Sequence, residues 1–207
     1  HKTASFEILK LYSIFKSGNK TRAIPQSYIP TQSFFDRIAS FIRLNFFIPD
    51  SRIGWNYFAF KKAKKLIKDN NINCVITSGP PHSSHLIGKK IYNKFKLKWI
   101  VDLRDPWAEL FYLKNKFQFN YVKKLNLRFE VDVLNSADAI LTTVGNRYKS
   151  ILKDKLSNTK KIHKIYNGYD KIAYDKIEEI KPDSYNIVFT GILSKNHNYK
   201  LFFEVLS

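Results

Sequence analysis

With 207 residues, 44% of them hydrophobic, the chain is long enough to bury a core as one domain or two and supports a globular protein. Its 36 lysines and arginines against 17 acidic residues give a formal charge of +19, which favours anionic partners: nucleic acid, a phospholipid surface or phosphorylated small molecules. The single cysteine, Cys74, lies in an apolar run and excludes an internal disulfide or a cysteine-based metal site, and no uncharged apolar stretch reaches the roughly 18 residues of a membrane-spanning helix.

The chain opens on His1-Lys2-Thr3, contains no methionine and stops at Leu206-Ser207 inside a helical pattern, so it reads as a fragment. Residues 4–15 place Ile8, Leu11, Tyr12 and Phe15 on one helical face, and 17–30 read as a loop rich in Gly, Asn, Pro and Ser. In the predicted helix 34–48, Phe34, Phe35, Ile38, Phe41, Ile42, Leu44, Phe46, Phe47 and Ile48 interleave with Arg37 and Arg43. Such a helix suits either a membrane interface or a protein core. Pro49-Asp50-Ser51-Arg52 reads as a turn before a helix over 55–68. Its Trp55, Ala59, Ala63, Leu66 and Ile67 form a stripe towards a sheet, while Lys61, Lys62, Lys64, Lys65 and Lys68 face outward, solvated or set against anionic lipid.

Residues 73–107 carry the densest pattern. The apolar run Cys74-Val75-Ile76-Thr77, a helical segment ending at Phe95 and a second run Trp99-Ile100-Val101-Asp102 predict a βαβ unit with parallel strands. The polar residues follow each run directly, so they line the crevice beyond the carboxyl ends of the strands, where open α/β sheets bind ligands. Pro81 suits the first helical position, and Ser84, Ile87, Gly88, Ile91 and Phe95 fall on one face of the helix behind it. Backbone amides around residues 82–84 are then expected to point unpaired into the rim, with Arg104 offering a bidentate fork to the same oxyanion. Plainer readings stand beside this one. Pro-Pro after a strand also makes a simple turn, His82 and His85 also serve as caps, and Asp102, Arg104 and Asp105 also serve as a structural ion pair.

Downstream, 119–135 read as a helix with Val122, Leu125, Phe129 and Val133 inward, 138–142 as a third run, 145–155 as a helix and 162–166 as a fourth run. Asn167-Gly168-Tyr169-Asp170 forms a turn, 171–184 read as a charged linker, and the apolar run 187–190 ending in Gly191, with a helix from about Asn198, reads as the first βα unit of a second domain. There is no Gly-rich dinucleotide fingerprint, Walker loop, zinc-spaced Cys/His cluster or Gly-x-Ser-x-Gly elbow around Ser83 or Ser84. A phosphate-handling hydrolase using Asp102 and Asp105 needs a metal site that the sequence does not display.

Taken together, Phe47-Ile48-Pro49-Asp50-Ser51-Arg52, Ser78-Gly79-Pro80-Pro81-His82-Ser83, the run from Trp99 through Leu103-Arg104-Asp105-Pro106-Trp107, the pattern Glu130, Leu134, Ala137-Asp138, the Asn167-Gly168-Tyr169-Asp170 motif and Thr190-Gly191 resemble family-four retaining glycosyltransferases over about residues 30–207. The resemblance implies an α/β fold: a Rossmann-like parallel sheet with flanking helices, an incomplete GT-B amino-terminal domain over 1–170, a linker over 171–184 and the start of a donor-binding domain over 185–207. It implies an enzyme, a hexosyltransferase-type glycosyltransferase that moves a sugar with retention from a nucleotide-diphosphate donor to a saccharide or lipid-linked acceptor, without a metal. The nucleotide-sugar is a co-substrate, and no separate cofactor is expected.

Carried over residue by residue, His82, Asp102, Arg104 and Asp105 stand as catalytic candidates on the acceptor side, with Ser78, Gly79, Pro80, Pro81 and Ser83 in the acceptor-side loop. Asn167, Gly168, Gly191 and Lys195 stand on the donor diphosphate, although Ile192 occupies a position where the family often has arginine. The implied setting is polysaccharide or glycolipid synthesis at the cytoplasmic face of the membrane, with the positive charge and the 34–48 helix near anionic lipid. As a fragment, the chain alone is expected to show no turnover. The reading from a different class is a basic nucleic-acid-binding α/β protein; against it, the aromatic residues follow helix stripes instead of forming a stacking platform, and no specific nucleic acid is expected as a partner.

Overall fold

A computed structural model describes residues 34–109, 116–143, 146–176, 184–190 and 198–206. The expected helix over 4–15 and loop over 17–30 lie outside them. The chain divides into two compact units, with the boundary between Asn167 and Gly168.

The first unit is built on a four-stranded, all-parallel sheet of order β1-β2-β3-β4, comprising Cys74–Gly79, Lys98–Leu103, Ala139–Thr142 and Ile162–Lys164. Parallel neighbours require crossovers, and helices supply them. Helix α1 is Phe34–Phe46, α2 Trp55–Asp69, α3 Ser83–Phe95, α4 Asn120–Ser136 and α5 Asn146–Lys153. The α/β, Rossmann-like parallel sheet expected from the β-branched runs is therefore present. The fourth strand is shorter than 162–166, because only Ile162, His163 and Lys164 have register partners on β3.

The core lies on one face of the sheet, the face to which Val75 and Thr77 of β1 and their register partners Trp99 and Val101 of β2 point, and it forms two clusters. In one, Trp99, Val101 and Leu103 alternate inward from β2 and pack with Val133, Leu134 and Ala137 at the end of α4, with Ile140 of β3, and with Tyr148 and Leu152 of α5. In the other, Ala59 of α2 meets Ile87 and Ile91 of α3, with Trp55, Ala63, Ile67, Val75 and Phe95 packed around them, so the α2 stripe, set by its 3.6-residue period, packs chiefly on α3. Burying each large apolar side chain contributes about 1.5–3 kcal/mol relative to exposure. Gly88 lets α3 sit close to the sheet: a Cβ there would come within 2.4 Å of Trp99 Nε1.

Local details depart from the simple pattern. Cys74 is exposed, as is Ile76, because alternate residues of β1 point to the face of the sheet that no helix covers among the described residues. In α1, Phe34, Ile38, Phe41, Ile42 and Phe46 stay exposed, and Asn45, one turn after Phe41 on the same side of the helix, donates to Phe117 O and accepts from Phe119 N, whose rings pack on Phe41. In the second unit, the start of the supposed linker is a short helix, α6 (Lys171–Asp175), because the Asp170 carboxylate caps it by accepting from Ala173 N. There too the run 187–190 forms no strand among the described residues and leaves Ile187, Val188 and Phe189 exposed, whereas the helix expected from about Asn198 is present as α7 (Tyr199–Leu206).

Candidate functional site

β1 and β2 run parallel with Ser78 opposite Asp102 and Gly79 opposite Leu103, so both strands deliver their carboxyl ends to one edge. Ser78 Oγ donates to Asp102 Oδ2 at 2.6 Å, and the Arg104 amide donates to Gly79 O at 3.1 Å. Thr143 Oγ1, just beyond β3, donates to the Arg104 carbonyl at 3.4 Å. Three strand ends are thereby stitched together, with Arg104 and Asp105 exposed on top and Asp102 half-buried.

The helix start beside this rim differs from expectation. α3 begins at Ser83 with His82 at its cap, so Pro81 precedes the helix instead of opening it. Its first amides are not free. Ser83 N donates to Asp50 Oδ2 and Ser83 Oγ to Asp50 Oδ1, each at 2.8 Å, while Ser84 N and His85 N donate to the carbonyls of Pro81 and His82. The negative charge that a helix N-terminus attracts is supplied by the chain's own Asp50. Ser83 is consequently fully buried, its carbonyl accepting a further bond from Asn56 Nδ2 at 2.8 Å. These amides are therefore not open to an oxyanion at the rim, where the Arg104 side chain is exposed.

His82 is only 6% exposed. Its ring stacks on Trp107 with centroids 4.9 Å apart and planes 7° from parallel, and Nε2 donates to Pro106 O at 3.2 Å, which leaves Nδ1 as the bare nitrogen. His85, wholly buried, places Nδ1 2.9 Å from Thr77 Oγ1. Trp99 Nε1 can only donate and does so to the same oxygen, at 2.9 Å. The Thr77 hydroxyl thus holds both the Trp99 indole and the His85 ring in place. The two inner nitrogens, His82 Nδ1 and His85 Nε2, have no hydrogen-bond partner and flank Gly79, where a Cβ would lie 3.0 and 2.5 Å from them. Gly79 is thus required by space. Burial lowers His82 against the pull of Asp50, the Pro106 carbonyl and Asp105, and burial with the neighbouring His82 lowers His85 to about 3. Both imidazoles are neutral at pH 7.

A second buried cluster holds the far end of the same loop. Glu130 of α4, fully buried, accepts from Ala108 N at 3.3 Å and from Lys155 Nζ at 2.8 Å, and Lys155 also pairs with Glu109. Burial pushes the Glu130 carboxyl up, and Lys155 pulls it back; burial, with Glu130 and Glu109 nearby, pushes the Tyr148 phenol up. Reading the sequence for a site missed this role of Glu130. The available signal was an acidic residue beside Phe129 in the inward stripe of a helix. Asp50 stands in the Phe47–Arg52 motif of the resemblance, but no pattern local to that turn marks its bonds to Ser83.

The structure therefore brings Ser78, Gly79, Asp102, Arg104 and Asp105 together at one edge and sets His82 and Ser83 beneath it. Pro80 and Pro81 complete the turn between β1 and the helix. Asn167 lies three residues beyond the carboxyl end of β4, Gly168 opens the second unit with nothing within 4 Å of a would-be Cβ, and Gly191 and Lys195 lie outside the described residues. Among the described residues no group of three or more His, Cys, Asp or Glu is arranged to hold a metal ion, and no helix is long and apolar enough to cross a membrane. Comparison with protein-family models, with curated proteins and with solved structures gives no match.

Proposed function

We propose that this chain is the acceptor-side part of a retaining glycosyltransferase, which moves a sugar from a nucleotide-diphosphate donor to a saccharide or lipid-linked acceptor beside an anionic membrane surface. The observation that carries the reading is the union of two loops at one sheet edge: Arg104 N bonded to Gly79 O, Ser78 bonded to Asp102, and the Arg104 and Asp105 side chains left exposed. An exposed guanidinium above strand carboxyl ends suits a diphosphate, because its planar fork matches two phosphate oxygens. Asp102 and Asp105 are the carboxylates available to orient sugar hydroxyls, and stabilising developing phosphate charge with preorganised donors is usually the largest catalytic contribution. His82, neutral and stacked on Trp107, supports the loop from below in this reading and does not supply positive charge. The sequence resemblance and the parallel sheet support the same assignment.

Saturation-transfer NMR and calorimetry with a short-chain prenyl-diphosphate-linked N-acetylglucosamine test it. Arg104→Ala is expected to weaken binding at least tenfold. Binding that is absent in the parent chain, or identical in the variant, refutes the assignment.

A further inference from the structure

α2 runs into the amino end of β1 and α3 into the amino end of β2, so their last turns lie at the sheet edge opposite the rim. There they border an open groove of about 300 Å³ lined by Lys61, Lys64, Lys65, Lys68, Asp69 and Lys94. Five ammonium groups face one carboxylate. Helix C-termini attract cations, which accounts for Lys68 and Lys94 in the last turns but not for Lys61, Lys64 and Lys65 further back. Lys61, Lys64, Lys65 and Lys68 stand at i, i+3, i+4 and i+7, spacings at which like charges on a helix repel one another.

Among the described residues, no carboxylate forms an ion pair with any of the five; the Lys64 ammonium lies over the Phe60 ring at 5.4 Å. From Lys61 to Lys68 the helix rises about 10 Å. A concave strip of that length, with lysines on both walls, is matched to an anion whose charges are grouped over about the same distance. We propose that the groove between α2 and α3 binds a clustered-phosphate anion: two or more phosphates carried on one small molecule or one lipid headgroup. Lysine serves such a ligand as a point charge with three rotatable donors, needing no fixed fork geometry. A single nucleic-acid strand also carries phosphates, but no aromatic side chain lines the groove to stack its bases.

The test titrates the 207-residue chain with sodium tripolyphosphate at fixed ionic strength, read by calorimetry and thermal unfolding. The parent chain is expected to bind and to melt at a higher temperature. The triple variant Lys61→Gln, Lys64→Gln, Lys68→Gln is expected to lose at least tenfold in affinity, and Lys64→Gln alone about threefold. Lys123→Gln, which removes an exposed charge outside the groove, is expected to bind tripolyphosphate as the parent does, which separates this groove from the rest of the basic surface. Undiminished binding by the triple variant overturns the proposal, since diffuse attraction to a +19 surface then suffices. Cardiolipin vesicles identify the source: sedimentation that tripolyphosphate displaces assigns the phosphates to lipid, and tripolyphosphate binding without vesicle binding assigns them to a soluble ligand. Either result upholds clustered-phosphate recognition. A DNA duplex that displaces tripolyphosphate at equal phosphate concentration, and loses that ability in the triple variant, overturns it in favour of a nucleic-acid backbone.

Discussion

Within six positions, residues 104–109 pass from one environment to its opposite. Arg104 uses its backbone N–H and C=O to join neighbouring strand ends, and among the described residues nothing holds its guanidinium. Asp105 beside it is exposed. From Pro106 onward the loop turns inward: His82 bonds the Pro106 carbonyl and stacks on Trp107, Glu130 takes the Ala108 amide, and Lys155 ties Glu109 to Glu130. The loop's shape is therefore set by residues remote in sequence, and its chemistry is left to two side chains that contribute little to holding it. Stability and binding should separate along this line.

The largest effect falls on the inward half. Glu130→Ala leaves Lys155, whose side chain is 10% exposed, with Glu109 as its one carboxylate partner among the described residues, and removes the acceptor for Ala108 N. Losing one member of a buried pair costs about 3–5 kcal/mol. Urea denaturation should show this as a lower midpoint with an unchanged slope. Glu130→Gln, which keeps an acceptor for the amide, should lose less. A cost below about 1 kcal/mol for the alanine variant is incompatible with the loop being anchored here.

Next comes acid. Both histidines under the rim have lowered pKa values, His85 to about 3. The unfolded chain takes up a proton on each near its ordinary 6.5, whereas the folded chain resists. Their contribution to stability is therefore fully present above about pH 6.5 and falls as the pH drops towards 3, by about 1.4 kcal/mol per pH unit for His85 across that window. Following the His85 ring proton shifts by NMR tests the cause directly: a midpoint near 6.5 in the native state removes the explanation.

The same contrast marks what the sequence makes legible. Runs 74–77, 99–102 and 138–142 are short, rich in β-branched residues and separated by helix-length segments, so the parallel sheet and the edge carrying Ser78, Asp102, Arg104 and Asp105 follow from local pattern. The supports do not. Asp50 meets Ser83 across 33 positions and Lys155 meets Glu130 across 25, and no short-range periodicity encodes such pairs. The unpaired amides expected at α3 are a case in point, because helix geometry exposes those donors but only the tertiary fold brings Asp50 to them. The run 187–190 fails as a strand for a related reason: extended residues become a strand only when a neighbour completes the ladder, and none is present among the described residues.

Smaller again is the cap. Asp50→Ala removes the acceptor of Ser83 N, Ser83 Oγ and Arg52 N, and losing a capping carboxylate costs about 1–2 kcal/mol. Asp50→Asn should recover most of that loss, because an amide oxygen still accepts. A thermal scan in which both variants melt with the parent removes Asp50 from the account of how α3 starts.

The smallest effect on stability, and the sharpest on binding, belongs to Arg104. Its backbone bonds survive truncation, and an exposed side chain without a structural partner changes stability by no more than about 0.5 kcal/mol. Arg104→Ala should therefore unfold in urea with the parent chain while binding the prenyl-diphosphate sugar at least tenfold more weakly. Arg104→Lys should fall between them, keeping the charge but losing the bidentate fork. If Arg104→Ala instead destabilises the fold by several kcal/mol, the exposed half of the loop is structural too, and the division between support below and recognition above does not hold.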